Sequence, residues 1–388
     1  MTEIEDVDRI SSLPDEILTH ILSFMHTKEA VATSVLSKRW EFIWTRVPVI
    51  DLFEYKIMQS SLSFKAFVDR VLILNDAPFL RLFRLHFRND IDILHFCSWM
   101  RNVMRRNIFE IEVGCMPLPK KITRPLKGNL VSENLKNLGS VCFRSSSLRR
   151  LEMQDIVTRL QNPTVIIDAP SLEYLFNYNH VSDIKALFGE PFQPKLKINA
   201  PSLAEAQFRI RGYGLVEMLK QIPSLKTLDI VTTEWFHDFA GELRAVNQLP
   251  IFPKLTCLDV GSWLSNKHPS HLMMLVLLCE HAPNLVSLKY GVKRLMLDRK
   301  REEPSDLPPT VVPKCLSSTL KVIDIYSYQM IDHVVTRYLL QYATVLQIIR
   351  IHLKRSSMKE IDAISKLMEI PIASSVCKIV ICRDPSNL

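Results

Sequence analysis

The residues that could perform chemistry in this sequence form no recognised catalytic pattern. Its 388 residues contain no Gly-x-Ser-x-Gly nucleophile elbow, no Walker loop and no Gly-x-Gly-x-x-Gly fingerprint. Gly212-x-Gly214 stands alone, and the 9 glycines of the chain leave little sequence for loops that cradle phosphates. His268 and His271 could suggest a metal pair, but no third ligand stands nearby. We therefore expect a protein that is not an enzyme, with no catalytic residue, no metal site and no cofactor.

Basic side chains raise the question of nucleic acid binding. Six arginines are the candidates for phosphate contacts: Arg81, Arg84, Arg88, Arg101, Arg105 and Arg106. The last three have helical spacing, and a basic helix face is usually only solvated. The first fifty residues carry 8 acidic and 5 basic side chains, a net charge of −3, so the remainder must carry +11 to reach the total of +8. Two surfaces with different partners would give this asymmetry, and so would an ordinary solvated exterior. Nucleic acid is therefore not the favoured partner.

Three short helices are predicted within residues 9–46. Pro14 suits the first turn of a helix, and the two acids after it favour the positive end of the helix dipole. Thr27 and Ser37 each offer a side-chain oxygen that could cap a further helix. The first helix places apolar residues at the 3.6-residue period, and the third carries three aromatic residues. So small a unit cannot bury them all, which predicts a docking module, although ordinary core is the alternative.

The run LPDEILTHILSFM, followed by TKEAVATSVLSKRW and a further Trp, closely resembles the F-box in the version typical of plants. The F-box is the segment by which substrate receptors bind the Skp-type adaptor of SCF cullin-RING ubiquitin ligases. Many relatives have Pro where His26 stands, and we expect this change to loosen the turn without removing an adaptor contact. The resemblance implies the following adaptor-binding residues: Leu13, Pro14, Ile17, Leu18, Ile21, Leu22, Leu36, Ser37, Trp40 and Trp44.

A short motif repeats from residue 78 onward, in which Pro or Ser precedes Leu-x-x-Leu-x-apolar. The leading leucines from residue 148 onward are Leu148, Leu172, Leu203, Leu225, Leu255, Leu285 and Leu320. Their separations of 24, 31, 22, 30, 30 and 35 residues bracket the period of a leucine-rich repeat with insertions. Each unit is expected to form a strand, a turn and a helix, so that neighbours stack into a curved α/β solenoid with a parallel inner sheet.

Side chains that alternate with the leucines are expected on the concave face of the solenoid, the usual binding face. An aromatic row supplies the best anchors, although the same register points Asn177 inward. The predicted target-binding residues are Tyr174, Phe176, Tyr178, Gln207, Arg209, Asp229, Asp259 and Lys289. Further candidates on this face are Arg150, Glu152, Glu205, Thr227 and Ser287.

The C-terminal residues change in character. PKCLSSTLKVIDI, YLLQYATVLQIIRI and ASSVCKIVIC resemble the FBD domain found at the C-terminus of plant F-box/leucine-rich-repeat proteins. We expect this part to continue the solenoid's sheet with at least one strand, because LKVIDI keeps the spacing of the repeat. The expected domains are the F-box at 1–50, a connecting segment and helix at 51–77, the leucine-rich-repeat solenoid at 78–300, a loop at 301–313 and the FBD domain at 314–388.

The resemblance implies the substrate-recognition subunit of an SCF-type ubiquitin ligase. Its partners would be a Skp-type adaptor, a cullin bound through that adaptor, and a target protein that the sequence does not identify. The alternative is a solenoid scaffold outside any ligase that binds a protein or nucleic acid. No stretch approaches eighteen apolar residues, so we expect no membrane association and an intracellular protein of the cytoplasm, the nucleus or both.

Overall fold

The structure is a computed structural model that describes residues 9–10, 12–54, 61–88, 91, 93–116, 140–154, 164–178, 195–210, 215–232, 249–262, 270–292, 311–326, 332–353, 365 and 368–383. The chain divides into two compact units: Met1–Leu172 with Pro194–Ala200, and Glu173–Gln193 with Pro201–Leu388. Among the described residues, no helix has the length and apolar character needed to cross a bilayer.

The first unit begins with an N-terminal helical region, residues 12–46. Its elements are α1 (Asp15–Leu22), α2 (Thr27–Ala32) and two 3-10 helices, Thr33–Val35 and Trp40–Arg46. The third predicted helix is therefore a 3-10 helix, a form that short pieces of chain often take. Ser37 contributes its carbonyl oxygen to that turn, accepting the N–H of Trp40 at 3.0 Å. Thr27 was expected as a cap but is the first residue of α2, and its hydroxyl accepts the backbone N–H of Asp51 at 2.7 Å.

A parallel sheet follows this region. It consists, in order, of β1 (Val49–Phe53), β2 (Leu80–Arg88), β3 (Ile108–Met116) and β5 (Arg150–Gln154), with the helices α3 (Ser61–Leu74) and α4 (Ile93–Met104) between its strands in the sequence. β1 includes residues 51–53, which were expected in a connecting segment. The prediction failed because a strand of five residues is too short to show its period clearly when four of its positions are buried.

The first unit contains a second, smaller sheet. β4 (Ser140–Arg144), β6 (Thr164–Asp168) and β8 (Lys195–Asn199) pair in parallel. These repeats therefore carry a strand that the expectation of one strand, one turn and one helix in each unit did not include. In β6 and β8 the buried residues alternate at period two, Val165 with Ile167 and Leu196 with Ile198, and this period fits a strand, not a helix.

The second unit contains a longer parallel sheet. Its strands are, in order, β7 (Tyr174–Tyr178), β9 (Glu205–Ile210), β10 (Thr227–Thr232), β11 (Cys257–Ser262), β12 (Ser287–Val292), β13 (Val322–Tyr326), β14 (Ile348–Leu353) and β15 (Lys378–Arg383). Its helices are α5 (Leu215–Leu219), α6 (Ser270–Glu280), α7 (Lys314–Ser318) and α8 (Asp332–Tyr342). This α/β arrangement with a parallel sheet is consistent with a leucine-rich-repeat solenoid.

The repeat leucines set where the strands begin. All seven leading leucines are buried, and a strand starts two residues after each of them. The predicted continuation of the sheet into the C-terminal part is confirmed, because β13 pairs with β12 and two further strands follow. Identification of residues 314–388 as an FBD domain stays a prediction, as do the other domain boundaries. Residues 301–310 of the predicted loop lie outside the described residues.

Candidate functional site

Helix α1 carries two apolar stripes. Leu18 and Leu22 are 0% and 1% exposed, so they belong to the core of the first unit. Ile17 and Ile21, each one position earlier, are 45% and 42% exposed. A helix that only covers a core carries polar residues on its outer side. The outer side of α1 instead carries two isoleucines beside the exposed Glu16 and His20, as expected of a helix that meets a partner.

Exposed apolar side chains also lie outside α1. Seven large apolar side chains of the described residues 10–42 are exposed: Ile10, Ile17, Ile21, Phe24, Val35, Leu36 and Phe42. Phe24 follows Ile17 and Ile21 at the next step of the helical spacing, in the turn that ends α1. Clusters of exposed apolar side chains mark protein–protein or membrane interaction sites more often than isolated ones do. This set is called the apolar docking set below.

The ten predicted adaptor-binding residues fall into two groups. Pro14, Ile17, Ile21, Leu36 and Ser37 are exposed, and Leu13 is half-buried. Four others are buried within the chain itself: Leu18, Leu22, Trp40 and Trp44. The buried four support the surface from below, because a partner cannot reach a side chain that this chain already covers. Adaptor binding by any of the ten stays a prediction.

Arg39 holds the Leu-Pro pair in place. Its guanidinium donates to the carbonyl oxygen of Leu13 and, at 2.8 Å, to Oδ1 of Asp15. The residue before Pro14 and the first residue of α1 are thereby tied to the segment just before the second 3-10 helix. Arg39 was part of the recognised motif but was not predicted as a site residue. Its complementary charge to Asp15 was the only sequence signal for this role.

A cluster of charged side chains connects the first three strands of the first unit. The Arg84 guanidinium donates to Glu112 Oε2 at 2.6 Å and to Asp51 Oδ2 at 3.2 Å. His86 Nε2 lies 2.8 Å from Glu112 Oε1, and the His86 ring stacks on Phe53 with centroids 4.6 Å apart. Asp51, Phe53, Arg84, His86 and Glu112 are called the N-terminal charge cluster below.

The cluster strongly favours the ionised form of Glu112. Its hydrogen bond with His86, followed by that from Arg84, outweighs the effect of burial and lowers the pKa of Glu112 to about 2. Burial disfavours a charged guanidinium, but the bonds to Glu112 and Asp51 prevail and raise the pKa of Arg84. At neutral pH Arg84 and Glu112 therefore form an ion pair.

His26 ties the turn between α1 and α2 to this cluster. Its Nδ1 lies 3.0 Å from Asp51 Oδ2, and its ring meets the Phe53 ring edge-on at 5.4 Å. The imidazole therefore holds the turn to β1, a contact that the sequence did not indicate. The expectation that His in place of Pro loosens the turn without removing an adaptor contact stays a prediction.

The predicted target-binding residues align in the second unit. The strand registers place Phe176, Gln207, Asp229, Asp259 and Lys289 in one row across β7, β9, β10, β11 and β12. All five are partly exposed, on the face opposite the buried leucines. The structure therefore brings these residues together. Target binding by them stays a prediction.

The aromatic row of β7 lies on this same face. Tyr174, Phe176 and Tyr178 alternate with buried residues, and Asn177 is buried as its register predicted. The Arg209 guanidinium lies over the Phe176 ring, 5.9 Å from its centroid, and bonds to Asp229 Oδ2 at 3.1 Å. Arg209 thus connects the aromatic row to the charged row.

Two of the six basic residues considered for nucleic acid are engaged within the chain. Arg84 belongs to the N-terminal charge cluster, and Arg106 donates to Asn75 Oδ1 at 2.6 Å and to the carbonyl oxygen of Ala77 at 2.8 Å. These guanidinium groups support structure. The finding weakens the case for a basic surface that binds phosphates.

A further polar cluster, which the sequence did not predict, lies near the C-terminal end of the sheet in the second unit. Asp324 Oδ1 lies 3.0 Å from His352 Nε2, and Asp324 Oδ2 accepts a bond from Arg350 at 3.3 Å. The Tyr326 ring stacks on His352 with centroids 4.5 Å apart. Asp324, Tyr326, Arg350 and His352 are called the C-terminal charge cluster below. The available signal was that Asp-x-aromatic and Arg-x-His each occur twice in strands.

Comparison with known proteins gives a consistent result. Residues 10–51 match the model of the F-box domain. An F-box/FBD/LRR-repeat protein of Arabidopsis thaliana is 24% identical over 96% of this chain and 100% of its own length. An FBD-associated F-box protein of the same plant is 28% identical over 96% of this chain and 99% of its own length. An F-box/LRR-repeat protein is 30% identical over 73% of this chain and 61% of its own length.

Proposed function

Because this chain carries an F-box domain and has homologues named F-box/FBD/LRR-repeat proteins over most of its length, we propose that it is the substrate-recognition subunit of an SCF-type ubiquitin ligase. The F-box docks on a Skp-type adaptor and through it on a cullin. The sheet of the second unit captures a target protein. The subunit is not catalytic, because its contribution is to hold the target near the ubiquitin donor.

The apolar docking set is the observation that carries this proposal. Ile17, Ile21 and Phe24 lie along one side of α1 and its final turn, and all three are exposed. Covering a large aliphatic or aromatic side chain contributes about 1.5–3 kcal/mol each. A few such anchors supply most of the affinity of a typical interface. The buried stripe of Leu18 and Leu22 keeps these anchors in a fixed position.

Target capture is supported by the row in the second unit. Phe176 with its neighbours Tyr174 and Tyr178 offers rigid aromatic area, and the charged residues of the row offer specificity. This division resembles an interface with apolar anchors and a polar surround.

Adaptor binding is tested with the double variant Ile17→Glu/Ile21→Glu. Both side chains are exposed, so the variant should fold, whereas two buried carboxylates at the interface should weaken binding to a purified Skp-type adaptor by about 100-fold or more. Calorimetric titration gives the affinity, and a thermal scan of the same sample gives the melting temperature.

The matched control is Ile73→Glu/Leu74→Glu, which places the same charges on exposed residues of α3. It should bind the adaptor like the unchanged protein. Full affinity of the Ile17→Glu/Ile21→Glu variant would contradict the docking proposal. An unchanged chain that binds no adaptor at all would favour the scaffold alternative.

A further inference from the structure

The two charge clusters share one arrangement. In each, a strand carries Asp-x-aromatic and the next strand carries Arg-x-His in parallel register. Asp51 pairs with Arg84 and Phe53 with His86 in the first unit; Asp324 pairs with Arg350 and Tyr326 with His352 in the second. In both, the aromatic ring stacks nearly parallel on the imidazole, at 6° and 15°. The second cluster can therefore be compared residue by residue with the first.

The third strand distinguishes the clusters. In the first unit β3 places Glu112 opposite Arg84, where one carboxylate oxygen meets Arg84 and the other meets His86. In the second unit β15 places Val380 opposite Arg350. The described strand β15, Lys378–Arg383, contains no carboxylate. Asp324 instead accepts from Arg350 at 3.3 and 3.4 Å, and its Oδ1 lies 3.0 Å from His352 Nε2.

Exposure follows from this difference. The Arg84 side chain is 31% exposed and that of Arg350 is 41% exposed. For histidine the contrast is larger, with His86 at 8% and His352 at 28%. Both side chains are therefore more exposed than their counterparts in the first cluster, where Glu112 lies against Arg84 and His86.

The residues of β15 that lie beside Arg350 are basic and apolar. Lys378 stands two residues before Val380, so the period of the strand puts both on the face of Arg350. Lys378 and Val380 are exposed. An acidic side chain arriving here would meet the Arg350 guanidinium with its carboxylate and Val380 with its methylene groups.

We propose that Arg350 binds a carboxylate of the captured target, an Asp or Glu side chain in an acidic segment, at the place beside the guanidinium that Glu112 fills in the first cluster. This rests on the proposed function as a substrate receptor. A planar carboxylate suits the site, because a guanidinium fork binds carboxylate oxygens in its own plane and the internal Glu112 already accepts a bond from Arg84 in the first cluster. Specificity then comes from a guanidinium on β14 that has Asp324 on one neighbouring strand and Val380 on the other.

The test uses N-acetylglutamic acid α-amide, which offers one free carboxylate, and N-acetylglutamine amide as its neutral counterpart. The full chain is labelled with ¹³C at the histidine rings, and the His signals are followed at constant ionic strength. The carboxylate probe should shift the His352 signal saturably. His86 is the internal control, and its signal should stay in place because Glu112 occupies its site.

Two variants test whether the probe binds beside Arg350. Arg350→Ala should weaken the binding of the probe several-fold. Val380→Glu should supply the missing carboxylate from within the chain, so that the probe no longer shifts His352 and the melting temperature rises. Inorganic phosphate should bind more weakly than the carboxylate probe.

The proposal is overturned if the His352 signal does not respond, if the neutral amide moves it equally, or if phosphate binds as tightly as the carboxylate. It is also overturned if Val380→Glu leaves probe binding intact. The titration contains no adaptor. Failure of this site would therefore leave the F-box proposal standing, and failure of adaptor binding would leave this result standing.

Discussion

The N-terminal helical region and the sheet of the second unit treat their outer surfaces in opposite ways. The helical region exposes the apolar docking set, while Arg39 bonds to Asp15 and to the carbonyl oxygen of Leu13 and so holds the start of α1. The sheet exposes alternating charges, such as Asp229 and Lys289, and pairs several of them with each other. An apolar surface gives affinity for one constant partner, whereas a charged and aromatic surface selects among many. This contrast is consistent with the two proposed roles, binding of a common adaptor by the helical region and of a specific target by the sheet.

The contrast between the two surfaces requires that the two stripes of α1 have separate roles, one in the core and one in adaptor binding. Leu18→Ala should lower the stability of the first unit by about 3 kcal/mol, because it opens a cavity in a buried site. Ile17→Ala removes a side chain that is 45% exposed, so its cost to stability should stay below about 1 kcal/mol. Urea unfolding followed by the fluorescence of Trp40 and Trp44 measures both changes.

Adaptor affinity should respond in the reverse order. Ile17→Ala should weaken adaptor binding under conditions where the variant remains folded. Leu18→Ala should weaken it mainly by unfolding the surface, so lowering the temperature should restore part of it. Equal stability losses for the two variants would show that the outer stripe is ordinary core.

The stability of the sheets also depends on the charged side chains on their outer face, and substitution of Glu112 measures this contribution. Its pKa in the folded protein is about 2, below the ordinary value of 4.5, so it stabilises the fold above pH 4.5 and this contribution is lost as the pH falls toward 2. Glu112→Gln should therefore cost about 2 kcal/mol at neutral pH, allowing for solvent screening. The difference from the unchanged protein should disappear on acidification.

The control is Glu152→Gln, in the same row of the sheet. Glu152 bonds to Arg150 of its own strand, and that arginine is 43% exposed, so the loss at neutral pH should be smaller. Stability measured from pH 7 to pH 2.5 distinguishes the two. A Glu112→Gln variant whose deficit is the same at both ends would mean that packing, not charge, holds the cluster.

The sequence predicts the repeats well, because a repeat is local. Each leading leucine, such as Leu225 or Leu285, is followed two residues later by a strand, and alternation along that strand fixes which side chains are buried. The helical region was also predictable, because its apolar period lies within one short stretch. Its division into exposed and buried residues was not, since Ile17 and Leu18 are chemically alike and only tertiary packing separates them.

The charge clusters could not be predicted, because they depend on register between distant strands. Asp51 and Arg84 are 33 residues apart, and the structure brings them within 3.2 Å only because β1 and β2 align at those residues. The small sheet of β4, β6 and β8 was not predicted for a related reason. Its strands, such as β6, stand where the repeat period predicts a helix, and only their alternation at period two indicates otherwise.

The smallest expected effect concerns His26, where the helical region meets the sheet of the first unit. His26→Pro removes the contact with Asp51 and the edge-on contact with Phe53, but proline restrains the unfolded chain and fits the observed φ of −65°. These effects oppose each other, so the net loss of stability should be about 0.5 kcal/mol. His26→Ala loses the contacts without the restraint and should cost about 1 kcal/mol. His20→Ala is the control for the stability measurement, since His20 is exposed on α1 and its ring contacts Phe24 and not β1.

None of the apolar docking set changes in the two His26 variants, so their adaptor affinity should stay within about twofold of the unchanged protein. If adaptor affinity fell with either variant, the turn itself would touch the adaptor. The apolar docking set would then not be separate from the polar contacts that join the turn to β1.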